Sequence, residues 1–170
     1  QQLLDDVLHV LADIAGLGQR GGIGHDEGHV ELARKSGLQV VNDFFSADAL
    51  RSVYPDEKAK VITSIAMFYD LENPHKFVGD IKASLHERGV WILELSYLPL
   101  MLKMNSFDTL CHEHLEYYSL APMERLFAEH GLEVIDVTLN DVNGGSFRVT
   151  VAHERSAYRP NSSRVDELLR

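Results

Sequence analysis

The sequence is poor in cysteine and in positive charge, and it has no long hydrophobic run. Its 170 residues include one cysteine, Cys111, which excludes an intramolecular disulfide and predicts a reducing, cytoplasmic location. There are 16 lysines and arginines against 26 acidic residues, and the net charge of −10 argues against binding to nucleic acid or to an anionic membrane. No apolar run approaches the ~20 residues of a membrane-spanning helix. We therefore expect neither a nucleic-acid nor a membrane partner.

The chain has the length of one domain, and its hydrophobic pattern alternates between two periods. Near-continuous apolar runs are typical of strands buried on both faces, whereas apolar residues three and four apart are typical of helices. Predicted strands are 20–24, 38–41, 60–67 and 90–95, followed by 132–137 and 147–152 across a turn; predicted helices are 3–16, 26–36, 46–54, 74–88 and 119–130. This order predicts an α/β fold with a three-layer, mostly parallel sheet and an antiparallel C-terminal edge.

Polar residues follow several of the predicted strands. They lie at 42–43, 64–70 and 94–97, and right-handed crossovers bring the carboxyl ends of parallel strands to one edge of a sheet. Ligands of open α/β sheets bind at that edge. The apolar stretch 97–104 is predicted to form a lid or a short helix over the resulting cleft.

The densest group of chemically active side chains lies between residues 107 and 119. Within it, His112, Glu113 and His114 follow Cys111 directly. Histidine transfers protons near neutral pH, and a neighbouring carboxylate can stabilise its protonated form. Two interpretations stay open from the residues alone: acid–base groups at the edge of a cleft, or a polar loop whose histidines face water. The spacing matches no zinc motif, so no metal is predicted.

Four motifs, in this order, carry a resemblance to a known family. They are Asn42-Asp43-Phe44-Phe45, then residues 65–71, then 107–114, then 143–148. Together they resemble the S-adenosylmethionine-dependent sugar C-methyltransferases, which methylate nucleotide-linked keto-deoxysugars. The resemblance covers residues 20 to 155. It implies a Rossmann-like class I methyltransferase sheet, S-adenosylmethionine as cofactor and a small-molecule sugar nucleotide as substrate.

The resemblance also implies roles for individual side chains. His114 is implied as the general base, and Glu113 is implied to orient or polarise nearby groups. The implied cofactor-binding residues are Asp6, Asp26, Asp43, Phe44, Ser64 and Ala66. The implied substrate-binding residues are Tyr69, Asp70, His112, Asn143 and Arg148. For two of these a structural alternative stays open, since Arg148 also fits an outward strand residue and Asn143 a simple turn.

The sequence departs from the family in several places. Aligned without gaps, Asp5-Asp6-Val7 falls where the glycine-rich cofactor loop normally closes, so residues 1–155 are expected to form a methyltransferase core whose first strand is missing. Residues 156–170 are expected to be a polar tail that leads to an absent C-terminal domain. The position of the ribose-binding acid holds Gly24, with Asp26 two positions away. Cys111 replaces a phenolic residue.

Three functional alternatives stay open. The first is an active methyltransferase. The second is a truncated core that folds without catalysis; a homo-oligomer is one expected form of it, because a missing strand leaves unpaired edges that favour association. The third is a nicotinamide-dependent dehydrogenase, which needs a Gly-x-Gly-x-x-Gly turn after the first strand.

Overall fold

The computed structural model describes residues 10–14, 20–24, 31, 34–35, 37 and 39–169, and it places seven strands in one sheet. The strands are β1 (Val10–Ile14), β2 (Arg20–Gly24), β3 (Gln39–Asn42), β4 (Ala59–Ile65), β5 (Leu85–Ser96), β6 (Leu132–Asn140) and β7 (Ser146–His153). The helices are α1 (Ala47–Val53), α2 (Pro74–Ser84), α3 (Leu98–Met104), α4 (Leu120–Glu129) and α5 (Ser162–Leu168), with short 3-10 turns at Phe68–Asp70, Phe107–Thr109 and Val142–Gly144. None of these described helices is long and apolar enough to cross a membrane.

Two helices begin at the residues that the sequence predicts. The Ser46 hydroxyl accepts a hydrogen bond from the Ala49 N–H over 3.0 Å and caps α1. The Asn73 side chain accepts from the Lys76 N–H over 3.0 Å and caps α2. Pro74 then takes the first helical position, where its missing N–H costs nothing.

The strand order is β3-β2-β1-β4-β5-β7-β6. Strands β2 to β6 run in one direction, whereas β1 and β7 run in the opposite direction. Five of the seven strands in the described sheet thus share one direction, and the predicted α/β fold with an antiparallel C-terminal edge is confirmed; because β1 is antiparallel to both its neighbours, the sheet is mixed. Because β2 to β6 all end at the same edge of the sheet, we call that edge the carboxyl rim.

The central strand β1 corrects two predictions. The spacing of residues 3–16 predicts a helix, but Val10–Ile14 is a strand that pairs antiparallel with β2 and β4; the rest of that predicted helix lies outside the described residues. A short apolar run fits a helix or a strand equally well, and pairing on both sides satisfies backbone groups of both neighbours. The place in the sheet where the first strand was expected to be missing is thus occupied by β1. The edges of β2 and β4, expected to be unpaired and to favour self-association, are paired with it.

The core on one face of the sheet is an aromatic cluster centred on Phe68. Its ring centroid lies 6.0 Å from Phe77 of α2, 5.8 Å from Trp91 of β5 and 6.3 Å from Phe127 of α4. Phe68 is 1% exposed. Because Phe68 belongs to the turn that follows β4, the cluster fixes this turn at the carboxyl rim.

Gly89 lies inside β5, although the sequence predicts that it ends helix α2. The helix ends at Ser84 and the strand starts at Leu85. A Cβ atom on Gly89 would lie 2.8 Å from the Ala59 carbonyl oxygen, closer than real Cβ contacts. The glycine is therefore needed where β5 approaches the start of β4.

The predicted polar tail contains helix α5, which packs against β6. Val165 is buried, and the Asn161 N–H donates to the Ile135 carbonyl over 2.7 Å. The Arg164 guanidinium donates to both Asp136 carboxylate oxygens over 2.9 and 3.1 Å. The boundary at residue 155 and a further domain stay predictions.

Candidate active site

The end of β4 is held in an unusual conformation at the carboxyl rim. Ala66 has a φ of +53°, in the left-handed region that residues with a Cβ atom rarely adopt. Its N–H donates to the Glu94 carbonyl of β5 over 2.8 Å. Such a conformation persists where surrounding contacts determine it, often at functional sites. Ala66 is half-buried and turns the chain from β4 into the turn Phe68–Asp70.

His114 is held beside this turn in one tautomer. Its Nδ1 lies 2.9 Å from the Thr109 carbonyl oxygen. Because a carbonyl can only accept, Nδ1 carries the proton and the lone pair of the neutral ring is on Nε2. The half-buried His114 ring packs against Tyr69, with centroids 4.2 Å apart and planes at 48°. The Nε2 atom is therefore a proton acceptor in a fixed ring.

The segment that carries His114 is tied to the loop after β4. The Glu116 N–H donates to the Tyr69 carbonyl over 3.0 Å. The Thr109 hydroxyl donates to the Ser106 carbonyl over 2.7 Å and so fixes the turn that presents the Thr109 carbonyl to His114. The structure thus brings this segment to the edge of the sheet, where the sequence predicts it.

Asp70 lies within electrostatic reach of His114 and Glu113. Burial raises the pKa of the Asp70 carboxyl from its ordinary 3.8 to about 6; the charge of His114 lowers this pKa and that of Glu113 raises it. A carboxyl with this pKa is partly protonated just below neutral pH. Of the predicted site residues, the structure therefore brings together Tyr69, Asp70, Glu113 and His114.

The residues before His114 in the segment are exposed. The His112 side chain is 91% exposed and that of Glu113 is 72% exposed, with His112 Nε2 and Glu113 Oε1 3.8 Å apart. An exposed pair at this distance is not confined to one geometry. The roles of His112 and Glu113 stay predictions. Within the described ranges, no group of three or more His, Cys, Asp or Glu side chains is arranged to hold a metal.

The end of β3 offers an acceptor and a ring. The Asp43 carboxylate accepts the Phe44 N–H over 2.7 Å, and the Phe44 side chain is 70% exposed. The remaining lone pairs of Asp43 can accept from the amino group of an adenine, and an exposed ring can cover an adenine face. These features fit S-adenosylmethionine, except that the amide of Phe44 is already donated to Asp43. The other two predicted cofactor acids, Asp6 and Asp26, lie outside the described residues.

Ser64 is a correction to the predicted cofactor site. It is 1% exposed, and its Oγ accepts the indole N–H of Trp91 over 2.7 Å. Its side chain therefore faces the core and cannot line an open pocket for the methionine end. The sequence feature that could have indicated this contact is Trp91, because the N–H of a buried indole needs a hydrogen-bond acceptor.

Arg148 is a second correction, because its guanidinium is paired within the sheet. Its Nε and Nη2 atoms lie 2.8 and 2.7 Å from Glu94 Oε2. The two residues are opposite each other on β5 and β7. The Glu94 side chain is 9% exposed and that of Arg148 is 55% exposed. The alternative of an outward strand residue explains Arg148 better than a substrate role.

Glu94 and Asn143 complete the rim. The sequence places Glu94 at this edge but predicts no partner for it, and its signal is an acid inside the apolar run 90–95. Asn143 is exposed, with a φ of +50°, in the turn Val142–Gly144. The turn abuts the end of β5, because the Tyr97 N–H donates to the Gly145 carbonyl over 3.1 Å. The turn interpretation of Asn143 is confirmed, and its substrate role stays a prediction.

An apolar cavity of about 360 Å³ lies between α3 and the segment that carries His114. Leu98, Met101 and Leu102 line it from one face of α3, and Tyr117 lines it from the segment. The Tyr117 ring centroid is 6.2 Å from that of His114. Of the two structures predicted for 97–104, the short helix is confirmed by α3, and its position over the cleft stays a prediction. The cavity was missed because nothing in the sequence shows which loop faces the helix.

Comparison with known proteins identifies the family. Residues 12–137 match the family model described as a methyltransferase domain. The C-methyltransferase NovU of Streptomyces niveus is 33% identical over 122 residues, which are 71% of this chain and 29% of that protein. The chain thus spans less than a third of the length of this curated relative.

Solved structures share the fold at low sequence identity. The putative methyltransferase in complex with the Trm112 activator of Haloferax volcanii has a TM-score of 0.59 at 14% identity, over 79% of this chain and 72% of that one. The O-methyltransferase of a Brevibacillus brevis multienzyme, in complex with S-adenosyl-L-homocysteine, has a TM-score of 0.55 at 14% identity, over 88% of this chain and 68% of that one.

These likenesses decide between the enzyme classes that the sequence left open. The solved structures are Rossmann-like class I methyltransferases, and the family model covers most of the described sheet. A nicotinamide-dependent dehydrogenase has no support among them. The chain belongs to the methyltransferase domain family, which uses S-adenosylmethionine as its methyl donor.

Proposed function

We propose that this chain is the catalytic core of a C-methyltransferase that acts on a nucleotide-linked keto-deoxysugar, with His114 as general base. The observation that carries the proposal is the tautomer of His114, because the Nδ1–H bond to Thr109 leaves Nε2 free to accept a proton at the carboxyl rim. The relative that is itself a C-methyltransferase supports carbon as the acceptor atom. The sugar class rests on the resemblance of the four motifs.

Methylation of a carbon beside a ketone begins with the removal of a proton from that carbon, and this step requires a base. His114 Nε2 accepts the proton of that carbon, the electron pair of the C–H bond is delocalised onto the ketone oxygen as an enolate, and the imidazolium later loses the proton to water. Bound S-adenosylmethionine supplies a sulfonium methyl group for the nucleophilic carbon. A positioned base of this kind typically contributes about 10²–10⁴-fold to the rate.

Tyr69 orients the ring of His114, and Asp70 stabilises the protonated form of that ring. The packing of Tyr69 on the His114 ring fixes the ring plane, so the direction of the Nε2 lone pair is set before the substrate binds. Asp70 above its pKa of about 6 is an anion that stabilises the imidazolium. We assign to exposed Glu113 a role only in the bound state, where it would orient or polarise groups near His114.

The test is methyl transfer from ¹³C-methyl S-adenosylmethionine to a panel of nucleotide-linked keto-deoxysugars, read by NMR. We expect a new C–CH₃ signal, and we expect His114→Gln to lower the rate by about 10²–10⁴-fold while cofactor affinity stays unchanged. His86→Gln, on β5, is the matched control. A label on oxygen or nitrogen would refute carbon methylation, and an unchanged rate in His114→Gln would refute the assignment of the base.

A further inference from the structure

Two imidazole nitrogens lie close together outside the carboxyl-rim site, between helices α2 and α4, and a carboxylate lies near one of them. His75 Nδ1 lies 3.2 Å from His130 Nε2 and 3.8 Å from Glu129 Oε2. The two imidazole rings have centroids 5.5 Å apart with planes at 47°. The histidines are 55 residues apart in the sequence, so no spacing motif reveals them.

The fold holds both rings in place. His75 is in the first turn of α2, which Asn73 caps, and His130 is the C-cap of α4. The His130 ring lies over Gly79, where a Cβ atom would be 3.8 Å from its Cε1 and Nδ1 atoms. Since Gly79 is one helical turn after His75, the ring of His130 packs against α2 directly beside its partner.

We propose that His75 and His130 bind one divalent transition-metal ion, such as zinc, and so join α2 to α4. Two imidazole nitrogens on a tetrahedral zinc at ~2.0–2.1 Å are ~3.3–3.4 Å apart, and the separation of 3.2 Å between these two nitrogens is close to that. A proton between the two rings forms one hydrogen bond, from one imidazole to the other. A metal ion instead accepts the lone pairs of both imidazoles at once and leaves positions for further ligands. Water completes the coordination, and the Glu129 carboxylate, 3.8 Å from His75 Nδ1, joins it only after its side chain rotates.

Both negatively and positively charged groups surround the proposed metal site. Glu129 brings a negative charge, and the C-terminal end of α4 favours a cation beside His130. Two lysines of α2 oppose it: Lys76, whose charge is paired with Asp80 over 2.7 Å, and Lys82, whose Nζ lies near the backbone of the residue after His130. Glu129 is 56% exposed, so its carboxylate can rotate closer than 3.8 Å.

The experiment is calorimetric titration of the whole chain with zinc chloride, with the melting temperature measured in parallel. We expect one saturable zinc to be lost in His75→Ala and in His130→Ala and kept in His86→Ala. Zinc should also raise the melting temperature of the parent chain, because the bridged site exists only in the folded state.

The double variant His75→Ala/His130→Ala separates this site from other histidines in the chain. Zinc that it still binds lies elsewhere. If the parent chain binds no more zinc than the double variant, the proposal is overturned. It is also overturned if loss of one histidine leaves affinity unchanged. His75 is exposed and His130 is half-buried, and circular dichroism checks that each variant is folded. None of these outcomes depends on methyl transfer.

Discussion

Replacing Arg148 by methionine should destabilise the fold, because it leaves the Glu94 carboxylate in a nearly closed site without its partner. The carboxylate is 9% exposed and accepts from both Nε and Nη2 of the guanidinium. Removing one partner of a fully buried ion pair costs about 3–5 kcal/mol. Arg148 is 55% exposed, so water can enter and screen the charge. We therefore expect a loss of about 2–3 kcal/mol in the free energy of unfolding.

Urea unfolding followed by the fluorescence of Trp91, the one tryptophan, measures this loss. Arg164→Met is the matched control, because Arg164 and Asp136 are 50% and 37% exposed and such a surface pair is worth about 0–1 kcal/mol. A double-mutant cycle with Glu94→Gln should give a coupling energy of about 1–3 kcal/mol. Equal losses for Arg148→Met and Arg164→Met would refute the reasoning. A variant that keeps its stability but loses substrate binding would restore the substrate role of Arg148.

Three further predictions concern the rim. Ser64→Ala leaves the buried indole N–H of Trp91 without its acceptor, and we expect urea unfolding to show a loss of about 1–3 kcal/mol. Gly145→Ala places a Cβ atom 2.9 Å from the Leu100 Cβ atom at a φ of +124°, and calorimetry should show a lower melting temperature, equivalent to about 2 kcal/mol or more. Asp70→Asn should make the chain more stable than the parent at pH 7.5 and equally stable below pH 4, as measured by urea unfolding across pH.

The sign of the Asp70 prediction follows from proton binding. The pKa of the folded carboxyl, about 6, lies above its unfolded value of 3.8, so the folded state holds more protons between these values. The parent chain therefore loses stability as the pH rises through this window, and asparagine does not. An advantage of Asp70→Asn that persists at pH 3.5 would contradict this account.

Controls for the other two predictions come from the chain itself. Gly37 also has a positive φ, +82°, but a Cβ atom there would meet nothing within 4 Å. Gly37→Ala therefore reports backbone strain alone, and a loss as large as that of Gly145→Ala would exclude the predicted clash. Ser52→Ala, which removes a partly buried hydroxyl of α1 bonded to a backbone carbonyl, is the corresponding control for Ser64→Ala. Equal losses in the two serine variants would contradict the special cost of an unpaired indole.

The sequence predicted most of the sheet because local pattern determines strand and helix where segments are long. The long apolar runs of β4 and β5 are typical of buried strands. Ser46 and Asn73 predict helix starts because their side chains cap free N–H groups, and Pro74 does so because it lacks an N–H group. The hydrophobic pattern did not predict β1, because its five residues fit a helix or a strand equally well. In the structure they pair with β2 and β4 as a strand.

The candidate site was predictable in position but only partly in detail. Strand ends and the His-Glu-His segment could be placed at one rim from topology alone. Whether Ser64 faces the rim or the core depends on an indole 27 residues later, and the partner of Arg148 is 54 residues earlier. The tautomer of His114 depends on a backbone carbonyl, which every residue carries and no sequence pattern distinguishes.

The central claim is that the carboxyl rim binds the cofactor beside His114, and a titration of the isotopically labelled chain with S-adenosyl-L-homocysteine tests it most directly. We expect saturable binding, with the largest amide shifts at Asp43, Phe44, Ala66 and Asp70 and a shift of the His114 ring signals. Binding that leaves these residues unchanged, or no binding at millimolar ligand, would contradict the account.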